Sequence, residues 1–161
     1  QLFTFRPTLL GSLINDLIER YQDHSALPEI HIKVDKDLQI QADSEHLSQA
    51  FENIIDNVRK YAPDSPLWIS IEDRGEFVEM EFRDNGPGIP QEYLPFLFER
   101  FYRVPGHVEI RGTGLGLFIC SELIQAHQGS ISVDSSVGKG TTFHIKLPVL
   151  QNGINAEVLP E

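Results

Sequence analysis

Four short segments, fixed in order along the chain, constrain its fold and chemistry more than any other feature. They are Gln49–Tyr61, Asp84-Asn85-Gly86-Pro87-Gly88-Ile89, Gly112-Thr113-Gly114-Leu115-Gly116-Leu117 and Gly138-Lys139-Gly140-Thr141-Thr142-Phe143. In and around the first, Leu47, Phe51, Ile54 and Val58 recur at i, i+4, i+7 and i+11, a helical core stripe. Asn53, Asn57 and Lys60 recur at i, i+4 and i+7 on a different face of the same helix. Two amides and a cation on one helix face are more than a purely solvated surface needs.

Each segment can serve a nucleotide. Asp84 closes an alternating strand and opens a glycine loop, where a carboxylate can accept a hydrogen bond from an exocyclic amine such as that of adenine. Gly86 and Gly88 allow the backbone to approach a flat ring. Read alone, however, Asp-Asn-Gly-Pro-Gly favours a simple turn. Gly112–Leu117 opens a helix, and glycines there free N–H groups for phosphate with the helix dipole behind them. Its spacing is G-x-G-x-G after a Pro/Gly/Arg loop, so the dinucleotide fingerprint is excluded. Gly138-Lys139-Gly140 lacks the glycine spacing of a Walker loop and is equally a hairpin turn or a ligand loop on local grounds. Asn57 offers an amide oxygen of the kind Mg²⁺ accepts, and Lys60 a point charge for phosphate. Taken singly, Asn57 also reads as a surface residue.

The bulk properties narrow the classes. A chain of 161 residues suits one domain. A net charge of −11 with no basic patch argues against nucleic acid as a partner. The single cysteine, Cys120, lies in an apolar helical run and reads as a core residue. No apolar run approaches the roughly 18–20 residues of a membrane span. The six histidines lack zinc-site spacing and read as solvated or partly packed. The chain starts at Gln1 and its only methionine is Met80, so the expectation is an excised or processed piece that continues upstream.

Periodicity supplies the elements. Leu9, Leu10, Leu13, Leu17 and Ile18 predict a helix from Pro7 to about Asp23, with Pro7 in its first turn. Ile30/Ile32/Val34, Leu38/Ile40/Ala42, Leu67/Ile69/Ile71 and Val78/Met80/Phe82 alternate as strands. Asp43 or Ser44 can cap the helix that follows the second of these. A short helix and then a mobile loop are expected over 90–111, with Phe96, Phe98 and Phe101 as anchors. A third helix should run from about Thr113 to His127 and end at Gly129, and Ile131 to Leu147 should form a last hairpin. Residues 148–161 show no periodicity, which sets a domain at 1–150 and a tail at 151–161. The expected class is α/β, a two-layer sandwich of a mixed sheet with about three helices on one face.

Taken together, the four segments resemble the N, G1, G2 and G3 boxes of the ATP-binding catalytic domain of sensor histidine kinases, a branch of the Bergerat-fold ATPase/kinase superfamily. The resemblance runs from about Phe5 to Leu147. It implies a protein-histidine kinase domain of a two-component system, with ATP and Mg²⁺ as cofactors. It implies Asn57 as the metal ligand, Lys60 on phosphate, Tyr61 beside the nucleotide, Asp84 on adenine with Gly86, Gly88 and Ile89, and Thr142 near the base. Phe96–Arg103 resembles the F box of an ATP lid at about 92–111, in which Phe101 meets nucleotide and Arg100 and Arg103 reach phosphate. Gly112, Thr113, Gly114, Leu115, Gly116 and Leu117 form the lid hinge and phosphate cradle.

One position separates branches of the superfamily. Its ATPases carry a glutamate four residues before the metal-binding asparagine; here that residue is Asn53, and Glu52 is rotated roughly 100° around the helix. By resemblance this favours phosphotransfer, with Asn53, Lys60, Arg100 and Arg103 as the catalytic set, over a hydrolase using Glu52 or a non-catalytic nucleotide sensor. None of the six histidines is followed by an acidic residue, so the phosphoacceptor is expected on a separate, upstream dimerisation domain. The resemblance further implies a response-regulator receiver domain as partner and a homodimeric parent. It implies a cytoplasmic location without direct membrane contact by this chain, with or without an anchor in the full-length protein.

Overall fold

The structure is a computed structural model that describes residues 2–22, 29–106 and 112–149. Its elements follow in the order β1 (Arg6–Leu9), α1 (Leu10–Gln22), β2 (Ile30–Val34), β3 (Gln39–Ala42), α2 (Ser44–Tyr61), β4 (Leu67–Asp73), β5 (Phe77–Asp84), α3 (Gly116–Ala126), β6 (Ser130–Ser136) and β7 (Gly140–Pro148). A 3₁₀ turn at Gln91–Phe96 precedes α3.

Five strands form one sheet in the order β2-β4-β5-β7-β6, with β2 parallel to β4 and the other pairs antiparallel. The alternation seen in the sequence decides its faces. Leu67, Ile69, Ile71, Met80, Phe82, Phe143, Ile145 and Leu147 are buried under the helices. Trp68, Glu79, Glu81, Arg83 and His144 lie on the opposite, open face. The α2 stripe Leu47/Phe51/Ile54/Val58 is fully buried, with Phe51 5.7 Å from Phe82. The fold is thus the mixed α/β sandwich that the periodicity predicts. No helix among the described residues is long and apolar enough to cross a membrane.

Three local expectations are corrected. Pro7 does not start α1; it lies in β1, which pairs antiparallel with β3 as a separate two-stranded sheet. The cap of α1 comes from Asp37, whose carboxylate accepts the Gly11 N–H at 2.7 Å and the Ser12 hydroxyl at 2.6 Å. At the end of α3, the Gly129 N–H reaches Ile124 O and the Gln128 N–H reaches Gln125 O, a Schellman closure. The left-handed residue in it is Gln128 (φ 59°) rather than Gly129, which is small because an added Cβ would stand 2.4 Å from the Lys146 carbonyl oxygen.

The third concerns His127, which is fully buried rather than solvated or partly packed. Its Nδ1–H donates to Leu123 O at 2.8 Å, and its Nε2 accepts the Asp43 N–H at 3.1 Å. Burial, against weaker opposing contacts, holds its pKa below the usual imidazole value. The ring therefore ties the end of α3 to the cap of α2. There Asp43 accepts the His46 N–H at 3.1 Å and the Thr4 N–H at 2.8 Å. The expected tail at 151–161 lies outside the described residues.

Candidate nucleotide site

The polar face of α2 forms one wall of a cleft. Asn53, Asp56, Asn57, Lys60 and Tyr61 line it, as the second helical stripe requires. The amide nitrogen of Asn53 is buried without a hydrogen-bond partner. A buried donor without a partner costs about 1–3 kcal/mol, and a ligand in the cleft would relieve that cost. Asp56 was not singled out by sequence. It accepts the Tyr21 hydroxyl at 3.1 Å and pairs with Arg59 at 3.1 Å. Burial, and then the Asp56 charge, raise the Tyr21 phenol above its usual value, so it stays a donor.

Asp84 forms the floor. It is only 5% exposed at the end of β5, and its Oδ1 accepts N–H groups from Gly86 at 2.8 Å and Thr141 at 3.3 Å. Burial pushes its carboxyl above the usual range, and the two donors offset this only in part. Both bonds use the same oxygen, which leaves Oδ2 for the cleft.

The loop after Asp84 is held by neighbours remote in sequence. Asn85 N–H donates to Ser65 Oγ at 2.7 Å, Ile89 N–H to Ser135 Oγ at 2.8 Å, and Gly138 N–H to Pro87 O at 2.8 Å. The second and fourth segments therefore dock on each other. An L side chain at Gly140 (φ 83°) would place Cβ 2.0 Å from the Asp84 carbonyl oxygen. Gly138 and Gly140 do not line the cleft; they turn the β6–β7 hairpin. From it the cleft receives Thr141. Thr142 is paired with Arg83 and turns to the open face, which corrects the assignment of Thr142 to the base.

The far wall comes from the lid segment and the start of α3. Leu97, Tyr102, Arg103, Val104, Gly112, Thr113, Gly114, Gly116 and Leu117 contribute. The N-terminus of α3 has no side-chain cap and no acidic residue in its first turn. Its free N–H groups and dipole suit an anion. Gly114 has φ 73° and passes so close to Phe101 that a Cβ would sit 2.6 Å from that residue's carbonyl carbon. Phe101 N–H donates to Gly114 O at 3.0 Å, and Phe101 itself adopts φ 65°. Here the segment that ends in Phe101–Val104 is thus joined through backbone to the glycine segment that opens α3.

Several expected site residues lie elsewhere. Phe101 is 64% exposed, and Phe96 is 43% exposed beside Tyr102. The anchors are Leu97, which is buried, and Phe98, edge-on to Phe143 at 6.3 Å. Arg100 lies over the Phe118 ring at 4.7 Å, outside the cleft, whereas Arg103 lines it. Gly86 packs under Ala62, where a Cβ would come within 2.4 Å, and Leu115 only occupies the N-cap position of α3 without capping it. Glu52 does not line the cleft either. The stretch 107–111 of the expected lid lies outside the described residues.

The comparisons with known proteins agree with this geometry. Residues 42–151 match the family described as histidine kinase-, DNA gyrase B-, and HSP90-like ATPase. The chain is 36% identical over 149 residues to the adaptive-response sensory kinase SasA of Synechocystis, covering 89% of this chain and 39% of that protein. It is 40% identical over 119 residues to the sensor histidine kinase WalK of Bacillus subtilis, covering 71% of this chain and 20% of that protein. It therefore spans well under half the length of these relatives. Among solved structures, a mycobacterial sensor histidine kinase, MprB, superposes with a TM-score of 0.78 at 29% identity, over 91% of this chain and 99% of that one. With four boxes around one cleft and these relatives, the chain belongs to the histidine kinase-, DNA gyrase B-, and HSP90-like ATPase family, as an ATP-binding catalytic domain of the sensor histidine kinase type.

Proposed function

We propose that this domain binds ATP with Mg²⁺ between α2 and the lid and presents the γ-phosphate to a histidine on a separate dimerisation domain. The observation that carries the reading is the opposition of two walls. One wall holds Asn53, Asn57 and Lys60; the other is the uncapped N-terminus of α3. Adenine would meet Oδ2 of Asp84, and the triphosphate would run toward Lys60, Arg103 and the α3 amides.

The donor set fits a hard cation. Asn57 and its neighbour Asp56 offer oxygen at the cleft wall, and Asn57 is the residue proposed to hold the ion. Bound Mg²⁺ would neutralise phosphate charge. The chain's own residues hold and orient the nucleotide, which is most of what phosphoryl transfer asks of a protein. In the transfer, the bond from the γ-phosphorus to the β–γ bridging oxygen breaks and ADP leaves. An imidazole nitrogen of the acceptor forms the new P–N bond.

Water is a poor competitor here. Position 53 is an amide, which is not a base, and Glu52 lies outside the cleft. The same reading makes the parent protein a homodimer that passes phosphate to a receiver domain. It also places this domain in the cytoplasm.

The test is incubation of this chain with radiolabelled ATP, alone and with the dimerisation hairpin of the full-length protein. Nucleotide binding without self-labelling, followed by acid-labile label on the added hairpin, is expected. Stable label on the isolated chain, or rapid phosphate release without the hairpin, would refute the kinase reading.

A further inference from the structure

The open face of the sheet holds a second constellation, turned away from the nucleotide cleft. Glu79 and Glu81 are two apart on β5 and share that face, and His144 on β7 is the register partner of Glu81. His144 Nδ1 stands 3.3 Å from Glu81 Oε1, and its Nε2 stands 2.8 Å from Asp134 Oδ2. One ligand atom from each of Glu79, Glu81 and His144 falls within 4.8 Å of the others.

The two contacts of the imidazole differ in kind. At 2.8 Å, Nε2–H donates a normal hydrogen bond to Asp134, which leaves Nδ1 with its lone pair. The 3.3 Å separation on the other side is long for a hydrogen bond. It matches the edge of a tetrahedron with metal–ligand bonds of 2.0–2.1 Å, about 3.3–3.4 Å. A histidine whose far nitrogen is held by a carboxylate is the usual arrangement of a metal-ligating imidazole.

We propose that Glu79, Glu81 and His144 Nδ1 form a site for a divalent transition cation of the Zn²⁺ type, with Asp134 orienting the imidazole and water filling the fourth position. Imidazole with carboxylate selects such ions over Mg²⁺. The nearby cations do not block it. Arg74 holds only Oε2 of Glu79, at 3.0 Å, and has Glu72 as another partner. Lys146, opposite Glu79 in the register, has its ammonium 5.1 Å over the Phe77 ring.

The ion would clamp β5 to β7. These are the strands whose ends bring Asp84 and Thr141 to the cleft. Its role is structural, apart from the Mg²⁺ that travels with nucleotide.

The test uses this chain without nucleotide, titrated with Zn²⁺ by calorimetry and with Co²⁺ by visible absorption. One ion should bind, with the intense bands of tetrahedral Co²⁺, a rise in melting temperature, and little competition from Mg²⁺. His144→Ala and Glu81→Gln should each abolish the Co²⁺ bands, and Asp134→Asn should weaken binding roughly ten- to hundred-fold. ATP affinity should be unchanged in all three. Wild-type Zn²⁺ affinity in either ligand variant, or equal competition by Mg²⁺, would overturn the assignment and leave His144 as a surface ion pair.

Discussion

Replacing Asp84 by asparagine separates the cost of this residue to the fold from its use to the ligand. In the folded chain, burial raises the Asp84 carboxyl above its unfolded value. The folded state therefore takes up a proton more readily than the unfolded one. Ionised Asp84 weakens the fold at neutral pH, and that cost fades as pH falls through the raised folded value. Asparagine carries no charge there. Its carbonyl oxygen can still accept the Gly86 and Thr141 N–H groups, now made by Oδ1 at 2.8 and 3.3 Å.

Those two donors also fix which way the amide points, because the flipped amide would set N–H against N–H. The amide nitrogen must then occupy the place of Oδ2 and face the adenine amine as a second donor. Leaving that buried amine without an acceptor costs about 1–3 kcal/mol. The loss in ATP affinity is about ten- to hundred-fold. GTP, with a carbonyl at the corresponding ring position, should lose little or gain.

The assay is calorimetric titration with ATP and GTP, with scanning calorimetry of the unliganded protein at several pH values. Asp84→Asn should melt no lower than the wild type at pH 7, with the gap closing in acid, while its ATP preference collapses. Unchanged ATP affinity would refute the assignment of Asp84 to adenine. A lower melting temperature at neutral pH would refute the burial argument.

Asn57→Ala should weaken Mg²⁺-ATP binding by about 1–3 kcal/mol and abolish phosphotransfer while leaving the melting temperature nearly unchanged, because Asn57 belongs to the cleft stripe and not to the Phe51/Ile54 core. Unfolding of this variant would show that the helix faces are misassigned. Asp43→Ala removes the α2 cap and should cost about 0.5–2 kcal/mol in urea denaturation at pH 7. Burial raises the Asp43 carboxyl, but donors from Thr4 and His46 outweigh it and hold it low. Its contribution is therefore full above the ordinary carboxylate range and lost as pH falls through the depressed folded value, so the two stability curves should converge in strong acid. Gly114→Ala forces a left-handed residue against Phe101 and should cost at least about 1–2 kcal/mol, with weaker nucleotide binding by fluorescence titration; equal stability would show that the lid base is not held there.

Periodicity carried much of this molecule in plain view. The spacing of Leu47, Phe51, Ile54 and Val58 settles one face of α2, and geometry then leaves Asn53, Asn57 and Lys60 on the other, whatever lies opposite. The same rule would have placed Thr141 inward, since it shares odd numbering with Phe143, Ile145 and Leu147; the resemblance pointed to Thr142, and the strand period overrules it. Asp56 was equally reachable, one turn before Lys60 on the polar stripe.

What local pattern could not show is which distant group completes each local need. Leucines before and after the β1–α1 junction read as one helix, because the cap that starts α1 at Leu10 is Asp37, and the partner that makes Pro7 extended is β3. His127 looks like any helix-end histidine until Asp43 is brought to its ring. Phe101 belongs to an aromatic box, yet it is its backbone that meets Gly114. A sequence determines the faces of its elements, because side-chain direction repeats with backbone geometry. Only the tertiary structure decides what each face meets, because those contacts join residues that no local period relates.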